Sequence, residues 1–330
     1  MHQMSGHVVS GPGNGSSRPS RQINVVLRSH ETFGNSASAH ALEAEPLPAV
    51  KPLPAVDHFA DIQKELEPMI GMDNVKSLVY EIYALLYISR MRTEAGLYGG
   101  SQVYHMIFKG NPGTGKTTIA RIVAKLLQKM GVLTKGHLIE VERADLVGEY
   151  IGHTAQKTRE LVRKALGGVL FVDEAYSLAR GGEKDFGKEA IDTLVKAMED
   201  HRNQFVLILA GYPLEIEQFL MTNPGLPSRF PIQIEFPDYS VDQLIQIGEL
   251  MVKERDYVMM PQTVFKLRQH LMQEKQSDMF SFSNARFVRN TIEKAIRHQA
   301  VRLIGQYSNS VPGKGELMSI RPEDLKLDRS

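Results

Sequence analysis

A glycine-rich segment between an apolar run and a helical stretch is the feature that most constrains this chain. In order, the segment consists of Gly110, Asn111, Pro112, Gly113, Thr114, Gly115, Lys116, Thr117 and Thr118. It fills the pattern G-x-x-x-x-G-K-[ST], in which glycines let successive backbone N–H groups point at phosphate oxygens. Met106–Phe108 before it predicts a buried strand, and residues 118–127 after it have helical spacing. Because this phosphate chemistry needs the order strand, loop, helix, the pattern favours a phosphate-binding loop over a chance glycine-rich turn.

The polar residues at the end of the loop suit distinct chemical roles. The Lys116 ammonium is placed to reach the β- and γ-phosphates of a nucleotide, and the Thr117 hydroxyl is placed to ligate Mg²⁺. A helix that begins here adds its N-terminal amides and the positive end of its dipole. The chain has no Asn-Lys-x-Asp segment of the kind that reads guanine, which disfavours GTP as the nucleotide.

Two carboxylates follow a second apolar run. Val169–Val172 predicts a strand, and Asp173 and Glu174 come directly after it. Acidic residues often end strands, so this pattern alone is weak. It becomes specific after a phosphate loop, because ligands of a parallel sheet lie beyond the carboxyl ends of its strands. We expect Asp173 to hold Mg²⁺, directly or through water, and Glu174 to orient and polarise an attacking water.

Apolar runs alternate with helical stretches through the middle of the chain, which is typical of a parallel α/β sheet. Besides those named above, strands are predicted at Leu138–Val141, Phe205–Ala210 and Ile232–Phe236, and helices at 154–166 and 187–201. Local signals also predict helix starts. Asp73 is expected to be an N-cap, and Ser240 with Gln243 forms a capping box.

The pattern becomes mostly helical after Pro237, with a helix expected at 262–275 and another from 283 or 284. The predicted fold class is α/β, a P-loop parallel-sheet domain followed by a small α-helical lid domain. The N-terminal part is rich in glycine, serine and proline; it predicts a flexible segment, with one short strand at Ile23–Leu27 and a proline linker. The expected boundaries are 1–56 for this segment, 57–237 for the sheet domain and 238–330 for the lid.

Composition excludes several classes of protein. The 330 residues carry a net charge of +1, which gives no sign of a general nucleic-acid or membrane-surface binder. Cysteine is absent, which excludes disulfides, thiolate chemistry and cysteine zinc sites and suits a reducing compartment. No apolar run approaches the roughly 18 to 20 residues that span a bilayer. The N-terminus lacks the apolar core of a secretory signal, so the expected location is the cytoplasm, with no membrane and no nucleic-acid partner.

Three further features allow two interpretations each. Arg229 precedes a predicted strand. Its planar guanidinium can donate two hydrogen bonds to a phosphate or to the transition state of its transfer, but Arg229 could equally be a surface arginine. Arg286 could lie over a nucleotide bound between the domains, or it could be solvated at a capped helix start. The pair Tyr150 and Ile151 lies between two glycines on a loop; such aromatics more often pack on their own domain.

Taken together, these motifs resemble those of the AAA+ ATPases. The phosphate loop, Asp173-Glu174, Arg229 before a phenylalanine and the Asn-Ala-Arg of Arg286 occur in that family's order. The segments 148–154 and 173–178 are similar to those of the subgroup that includes the red-type rubisco activase. Within it, the chain as a whole is most similar to proteins of sporulation, and residues 179–190 strengthen that match. The resemblance covers about residues 57–330.

The resemblance implies roles that spacing does not show. Arg229 matches the arginine finger, which acts on ATP in the neighbouring subunit, and Arg286 matches the second sensor. Tyr150, with Ile151, matches the pore-loop aromatic that grips a threaded polypeptide. Ile70-Gly71 matches the family's segment that lies beside adenine. The first sensor, usually Asn or Thr after the fourth strand, has no match in the segment Ala210-Gly211-Tyr212-Pro213.

The resemblance thus implies a ring-forming ATPase that remodels an unidentified protein partner, in sporulation. ATP with Mg²⁺ is the ligand that the resemblance implies. The protein would assemble as a homo-oligomer, expected to be a hexamer, with Lys116 and Glu174 as catalytic residues and Arg229 completing the site from the next subunit. A nucleotide-switched assembly scaffold that does not thread its partner is the alternative. A nucleic-acid motor is disfavoured by the near-neutral charge.

Overall fold

The computed structural model describes residues 58–100, 102–150, 152–180, 185–222, 225–277, 282–308 and 310–326. Every element below belongs to the unit Pro52–Ser330. The strand expected at Ile23–Leu27, the linker and the rest of the predicted N-terminal segment lie outside the described residues, as does Ile151.

Five parallel strands form the main sheet of the described residues. They are β1 (Met106–Gly110), β2 (Leu138–Val141), β3 (Val169–Val172), β4 (Val206–Gly211) and β5 (Ile232–Phe236). Their spatial order is β2-β3-β4-β1-β5, and every neighbouring pair is parallel. The α/β fold with a parallel sheet is therefore confirmed. Since β4 lies between β3 and β1, the chain segments that follow these three strands emerge side by side at one edge.

Alternate strand residues face two separate hydrophobic cores, because successive side chains of a strand point to opposite faces. Phe108 of β1 packs edge-on against Phe171 of β3 on one face, with ring centroids 6.3 Å apart. Ile107 and Leu170, the residues before them, belong to the core on the other face. All four are fully buried. This burial on both faces explains why these strands read as continuous apolar runs.

Helices cover both faces of the sheet. The first core takes residues from α1 (His58–Leu66), α2 (Asp73–Glu94) and α3 (Lys116–Lys129). The second core takes residues from α4 (Arg143–Leu146), α5 (His153–Ala165), α6 (Gly187–Asp200), α7 (Pro213–Met221) and α8 (Leu226–Arg229). A 3₁₀ helix, Ala175–Ala179, follows the acid pair after β3. The sequence did not predict α4, α7 or α8.

The C-terminal part, called the lid below, is mostly helical. It contains α9 (Val241–Lys253), α10 (Pro261–Ser277), α11 (Asn284–Gln306) and α12 (Lys314–Met318), with a 3₁₀ helix at Pro322–Asp324. Two short strands, β6 (Val258–Met259) and β7 (Ser319–Ile320), pair in parallel. Gly248 lets α9 approach α11 closely, since a Cβ there would lie 3.2 Å from Val288 Cγ1. Apolar lid residues belong to the same core as α3 and β1.

One predicted helix cap is confirmed and another is wrong. Ser240 Oγ accepts from the backbone N–H of Gln243 at 3.1 Å, and the Gln243 side chain accepts from the backbone N–H of Ser240 at 2.8 Å. Asp73, by contrast, is the first residue of α2, and the cap position belongs to Met72 in a left-handed conformation, φ 59°. Met72 turns inward and is buried, so the exposed Asp73 falls inside the first turn, where a carboxylate still suits the helix dipole.

Candidate functional site

The phosphate-loop pattern forms a tight turn between β1 and α3. Gly110 ends the strand, and the helix begins at Lys116. Gly113 and Gly115 have left-handed φ angles of 70° and 94°, which glycine adopts without strain. The buried Thr114 braces the turn by donating its hydroxyl to the Asn111 carbonyl at 2.8 Å. The loop therefore has the strand-turn-helix geometry that forms an anion-binding concavity.

Lys116 lies across this loop. Its Nζ donates to the Gly110 carbonyl at 2.7 Å and to the Asn111 carbonyl at 2.9 Å. Burial lowers the pKa of the ammonium, while the negative charges of Asp173 and Glu174 oppose that shift. Burial of the ammonium strengthens its attraction for an anion, and the two nearby carboxylates partly offset that attraction.

Asp173 and Glu174 leave β3 by a strained turn. Glu174 has φ 45°, uncommon for a residue other than glycine, and its backbone N–H donates to Asp173 Oδ1 at 3.0 Å. Asp173 is half-buried, whereas Glu174 is exposed. Strain of this kind is concentrated at functional sites, where the surrounding structure fixes it. The turn gives two adjacent carboxylates different surroundings, as expected for different tasks.

Thr117 lies on the first turn of α3 and faces a third carboxylate. Its hydroxyl donates to Glu140 Oε1 at 3.3 Å, and Glu140 also pairs with Arg121 at 3.4 Å. No group of three His, Cys, Asp or Glu side chains that could hold a metal ion occurs among the residues that the structure covers. Thr117 and Asp173 line the same cavity, and each carries an oxygen of the kind that Mg²⁺ accepts as a ligand.

A cavity of about 570 Å³ joins these groups to the lid. Of the residues predicted to bind nucleotide or Mg²⁺, the cavity is lined by Ile70, Gly110, Pro112, Gly113, Gly115, Lys116, Thr117, Thr118, Asp173, Glu174 and Arg286. Three predicted residues do not line it. Gly71 lies between the lining residues Ile70 and Met72, Thr114 is buried within the loop, and Asn111 donates its amide to Asp238.

The cavity has an apolar end and a polar end. Its apolar walls come from the turn between α1 and α2 and from α9, with Met69, Ile70, Met72, Ile247, Leu250 and Met251. The polar end carries the phosphate loop and the acid pair. An apolar slot joined to a cationic, amide-lined loop suits a molecule with a flat base at one end and phosphates at the other.

Tyr212 is a site residue that the sequence did not assign. It follows β4, and both Gly211 and Tyr212 line the cavity with Asp173 and Glu174. Burial raises the pKa of its phenol, and the charges of Glu174 and Glu215 raise it further. The hydroxyl therefore keeps its proton and can act as a donor. The missed signal was its position, directly after a strand that neighbours the acid-bearing strand.

Two arginines of α11 line the cavity from the lid side. Arg286, which the sequence placed over a nucleotide, is exposed and belongs to the lining. Arg289 lies one helical turn later on the same face and also lines the cavity, although the sequence did not single it out. Both cations belong to the longest helix of the lid.

Arg229 lies outside this cavity, at the end of α8. Its Nη1 donates to the Gly225 carbonyl at 2.7 Å, and its Nη2 pairs with Glu199 of α6. The Arg229 side chain is 31% exposed. In the described part of the chain, the Arg229 guanidinium is therefore held by Gly225 and Glu199, away from the lining of the cavity.

Tyr150 lies on the loop between α4 and α5 and is 65% exposed. Its only described ring contact is edge-on with His153, at 5.3 Å between centroids. The expectation that this aromatic packs on its own domain is therefore wrong. The loop itself is fixed at its base, because Thr154 Oγ1 accepts from the backbone N–H of Gly148 at 2.9 Å. An anchored loop thus presents an exposed ring.

Comparisons with known proteins agree with this geometry. The family described as "ATPase family associated with various cellular activities (AAA)" matches residues 106–238, and the AAA lid domain matches residues 240–330. A RuvB variant from Thermotoga maritima shares the fold, with a TM-score of 0.53 and 20% identity over 79% of this chain and 70% of that chain. Among the described residues, no helix is long and apolar enough to cross a membrane.

Closer relatives share most of their sequence length with this chain. Stage V sporulation protein K of Bacillus subtilis is 54% identical over 93% of this chain and 94% of that protein. The chloroplastic ribulose bisphosphate carboxylase/oxygenase activase of Cyanidioschyzon merolae is 43% identical over 82% of this chain and 90% of that protein. Protein CbbX of Cereibacter sphaeroides is 43% identical over 82% of this chain and 87% of that protein. The chain belongs to the AAA+ ATPases, in the group of these relatives, and is an ATP hydrolase.

Proposed function

We propose that this ATPase forms rings, hexamers in the simplest form, and couples ATP hydrolysis to the remodelling of a protein partner during sporulation. The sporulation role is supported by the 54% identity to stage V sporulation protein K. A protein partner is supported by the relative named as an activase of ribulose bisphosphate carboxylase/oxygenase. The proposed location is the cytoplasm, as the cysteine-free composition suggests.

The residues of the cavity fit Mg·ATP. Hard oxygen donors from Thr117 and Asp173 suit Mg²⁺, and the loop amides with Lys116 suit the β- and γ-phosphates. When bound, Mg²⁺ would neutralise phosphate charge that develops during hydrolysis. The apolar end, with Ile70 and Met72, would hold the adenine ring, and Gly71 would give the turn between them its left-handed conformation, φ 65°.

The acid pair would divide the chemistry. Asp173 is half-buried and would hold the metal side of the site, while Glu174 would orient and polarise the attacking water. The protonated Tyr212 phenol, on the neighbouring strand end, would donate to the attacking water or to the γ-phosphate. This would fill the role of the first sensor, for which the sequence offers neither Asn nor Thr.

Arg229 would complete the site of a neighbouring copy. Its absence from the lining of its own cavity supports this arrangement, as does its position between Leu226 and Phe230, which belong to the second core. A head-to-tail contact in which each copy supplies an arginine to the next generates a ring when the rotation closes. In the isolated chain Arg229 is held by Glu199, so assembly would exchange that ion pair for contact with ATP.

The observation that carries the remodelling proposal is the exposure of Tyr150. An aromatic ring that is 65% exposed on an anchored loop contributes little to the stability of its own domain. Such a ring can contact a polypeptide, and Ile151 beside it would add an aliphatic contact. A scaffold that binds partners without moving them has no need of this ring.

The test is a Tyr150→Ala variant in a Bacillus subtilis strain that lacks stage V sporulation protein K. We expect the unchanged chain to restore heat-resistant spores and Tyr150→Ala to fail, although purified Tyr150→Ala should keep basal ATP hydrolysis and its melting temperature. Tyr98→Ala is the matched control, because Tyr98 is 81% exposed on a different loop. It should behave as the unchanged chain does.

Other outcomes would reject the proposal. Normal sporulation with Tyr150→Ala would exclude a gripping role and favour the scaffold alternative. A melting temperature that falls by an amount typical of a lost core aromatic would mean that Tyr150 acts inside its own domain. Failure of the unchanged chain to restore spores would contradict the sporulation role.

A further inference from the structure

The phosphate loop is bonded directly to the start of lid helix α11, and one side chain makes most of the contact. Asn284 is fully buried at the first position of that helix. Its Nδ2 donates to Asp238 Oδ1 at 2.7 Å and to the Phe282 carbonyl at 3.0 Å. Its Oδ1 accepts from the backbone N–H of Tyr239 at 3.0 Å. The amide thus ties α11 to the segment that connects β5 to the lid.

Asp238 extends this contact to the phosphate loop. Asn111 Nδ2 donates to both oxygens of Asp238 at 3.0 Å, so one carboxylate holds an amide of the loop and an amide of the lid. Backbone contacts reinforce it, since the N–H of Ala285 donates to the Gly113 carbonyl at 3.3 Å. We refer to Asn111, Asp238 and Asn284 as the loop–lid triad.

The phosphate loop and the start of α11 are closely packed around the triad. A Cβ atom at Gly113 would lie 2.3 Å from the Ser283 carbonyl oxygen and 2.7 Å from the backbone nitrogen of Arg286. Real Cβ atoms do not approach backbone that closely, so the phosphate loop and the start of α11 are in direct backbone contact at Gly113. A displacement of the phosphate loop therefore moves the helix start that carries Arg286.

The backbone of Asn284 indicates that its side chain matters. The residue has φ 43°, a left-handed conformation that glycine adopts without strain. Asparagine tolerates the conformation less well than glycine does, although better than most residues. The turn alone would thus be made more easily by glycine. What asparagine adds is an amide, and its bond to the Asp238 carboxylate is of the stronger, charge-assisted kind.

We propose that Asp238 and Asn284 are positioning residues for nucleotide binding, because they fix the start of α11 on the phosphate loop and so hold Arg286 towards the phosphates. This inference rests on the proposed role of Arg286 at the nucleotide. Arg286 follows Asn284 by two residues and lines the cavity with Lys116. The triad makes the lid arginine part of the same rigid unit as the phosphate loop.

The experiment is a titration of the full chain with ATP, by calorimetry, in a Glu174→Gln background that prevents turnover. Asn284→Gly keeps the left-handed backbone and removes the amide, so it should fold. We expect its Kd for ATP to rise roughly tenfold, the lower end of the effect of a lost hydrogen bond to a charged group. The matched control is Gln299→Ala, since Gln299 is a buried amide of the same helix whose bonds go to Leu317 and Ser319.

A double-mutant cycle separates positioning from general stability. If Asn284 acts through Arg286, Asn284→Gly should have no further effect on the Kd once Arg286→Ala is present. A full tenfold effect in the Arg286→Ala background would overturn the inference, as would an equal rise in Kd for Gln299→Ala. An unchanged Kd in Arg286→Ala alone would instead reject the proposed role of Arg286.

Exchanging the side chains of Asp238 and Asn284 tests whether the bond between them is what supports ATP affinity. Asn284→Asp alone places two carboxylates together and should weaken ATP binding at least as much as Asn284→Gly. Adding Asp238→Asn restores an amide–carboxylate bond with its polarity reversed, and Asn111 can still donate to the new side chain. The carboxylate at position 284 can no longer donate to the Phe282 carbonyl, so recovery is incomplete. We expect the double variant to bind ATP more tightly than Asn284→Asp alone. An affinity no better than that of Asn284→Asp, in a double variant that melts as Asn284→Asp does, would contradict the positioning role.

Discussion

His105 gives a prediction for the strand that leads into the phosphate loop. The residue directly precedes β1, is 4% exposed, and its Nδ1 accepts from the backbone N–H of Leu207 at 2.9 Å. Its ring packs between Phe205 and Phe230, with centroids 5.7 and 6.1 Å away. Burial among these rings lowers the pKa of His105 from 6.5 to about 4. Protonation would both charge a buried ring and remove the acceptor that Leu207 uses.

The sign of the effect follows from which state binds more protons. Between pH 4 and 6.5 the unfolded chain protonates His105 and the folded chain does not, so the free energy of unfolding falls as pH falls through that range. The full difference of 2.5 pH units (6.5 minus 4) corresponds to about 3 kcal/mol. At pH 5, where the transition is incomplete, the same linkage gives a loss of about 2 kcal/mol relative to pH 7.5.

The assay is urea unfolding of the chain and of His105→Asn at pH 7.5 and pH 5. Asparagine can accept from Leu207 but does not titrate, so its loss of stability between the two pH values should be smaller by about 2 kcal/mol. His201→Asn, at the half-exposed end of α6, is the control. The reasoning is refuted if His105→Asn and the unchanged chain lose the same free energy between pH 7.5 and pH 5.

Three further predictions concern the site. Lys116→Ala should abolish ATP binding, while Glu174→Gln should bind ATP and lose hydrolysis; equal loss of binding in nucleotide titrations would contradict their division of roles. Tyr212→Phe should lower kcat about tenfold with an unchanged melting temperature, because a donor to a charged group is lost; an unchanged kcat would exclude that donor. Glu199→Ala should leave hydrolysis intact or raise it up to about fivefold, since a surface ion pair that holds Arg229 is worth at most about 1 kcal/mol. Steady-state rates that fall instead would show that the pair itself is needed.

The sequence predicted those parts of the fold that depend on local pattern. β2 and β5 have the predicted bounds, and α5 and α6 agree with the predicted helices within one residue. β2 has three apolar residues in four, β5 alternates apolar and polar residues, and the two helices each have an apolar face. The order of the strands was not predicted, because pairing depends on contacts between residues far apart in sequence. The insertion of β4 between β3 and β1 leaves no mark on the residues next to it.

Short elements were missed for a related reason. α8 spans four residues, Leu226–Arg229, and β6 spans two, so neither is long enough to show a period. Asp73 was misread as a cap because it has the right residue type. The burial of Met72, which decides where α2 begins, comes from its contact with Gly115, since a Cβ there would lie 2.4 Å from Met72 Cε.

The candidate site divides in the same way. The phosphate loop and the acid pair could be identified because each consists of consecutive residues that form a known motif. Tyr212 could not, since its role depends on which strand neighbours β3. The bond between Asp238 and Asn284 joins residues 46 positions apart and has no sequence signature. The exposure of Tyr150 is a property of the folded surface, and residue type alone favoured the opposite.

The central claim is that the ATPase site is shared between copies, and one measurement tests it directly. Arg229→Ala and Glu174→Gln proteins, each inactive alone, are mixed in equal amounts and assayed for ATP hydrolysis. In random rings roughly a quarter of the contacts would pair an intact Glu174 with an intact Arg229 from the neighbour, so activity should return to about that fraction of the unchanged chain. No return of activity, in mixtures shown to co-assemble, would contradict the claim.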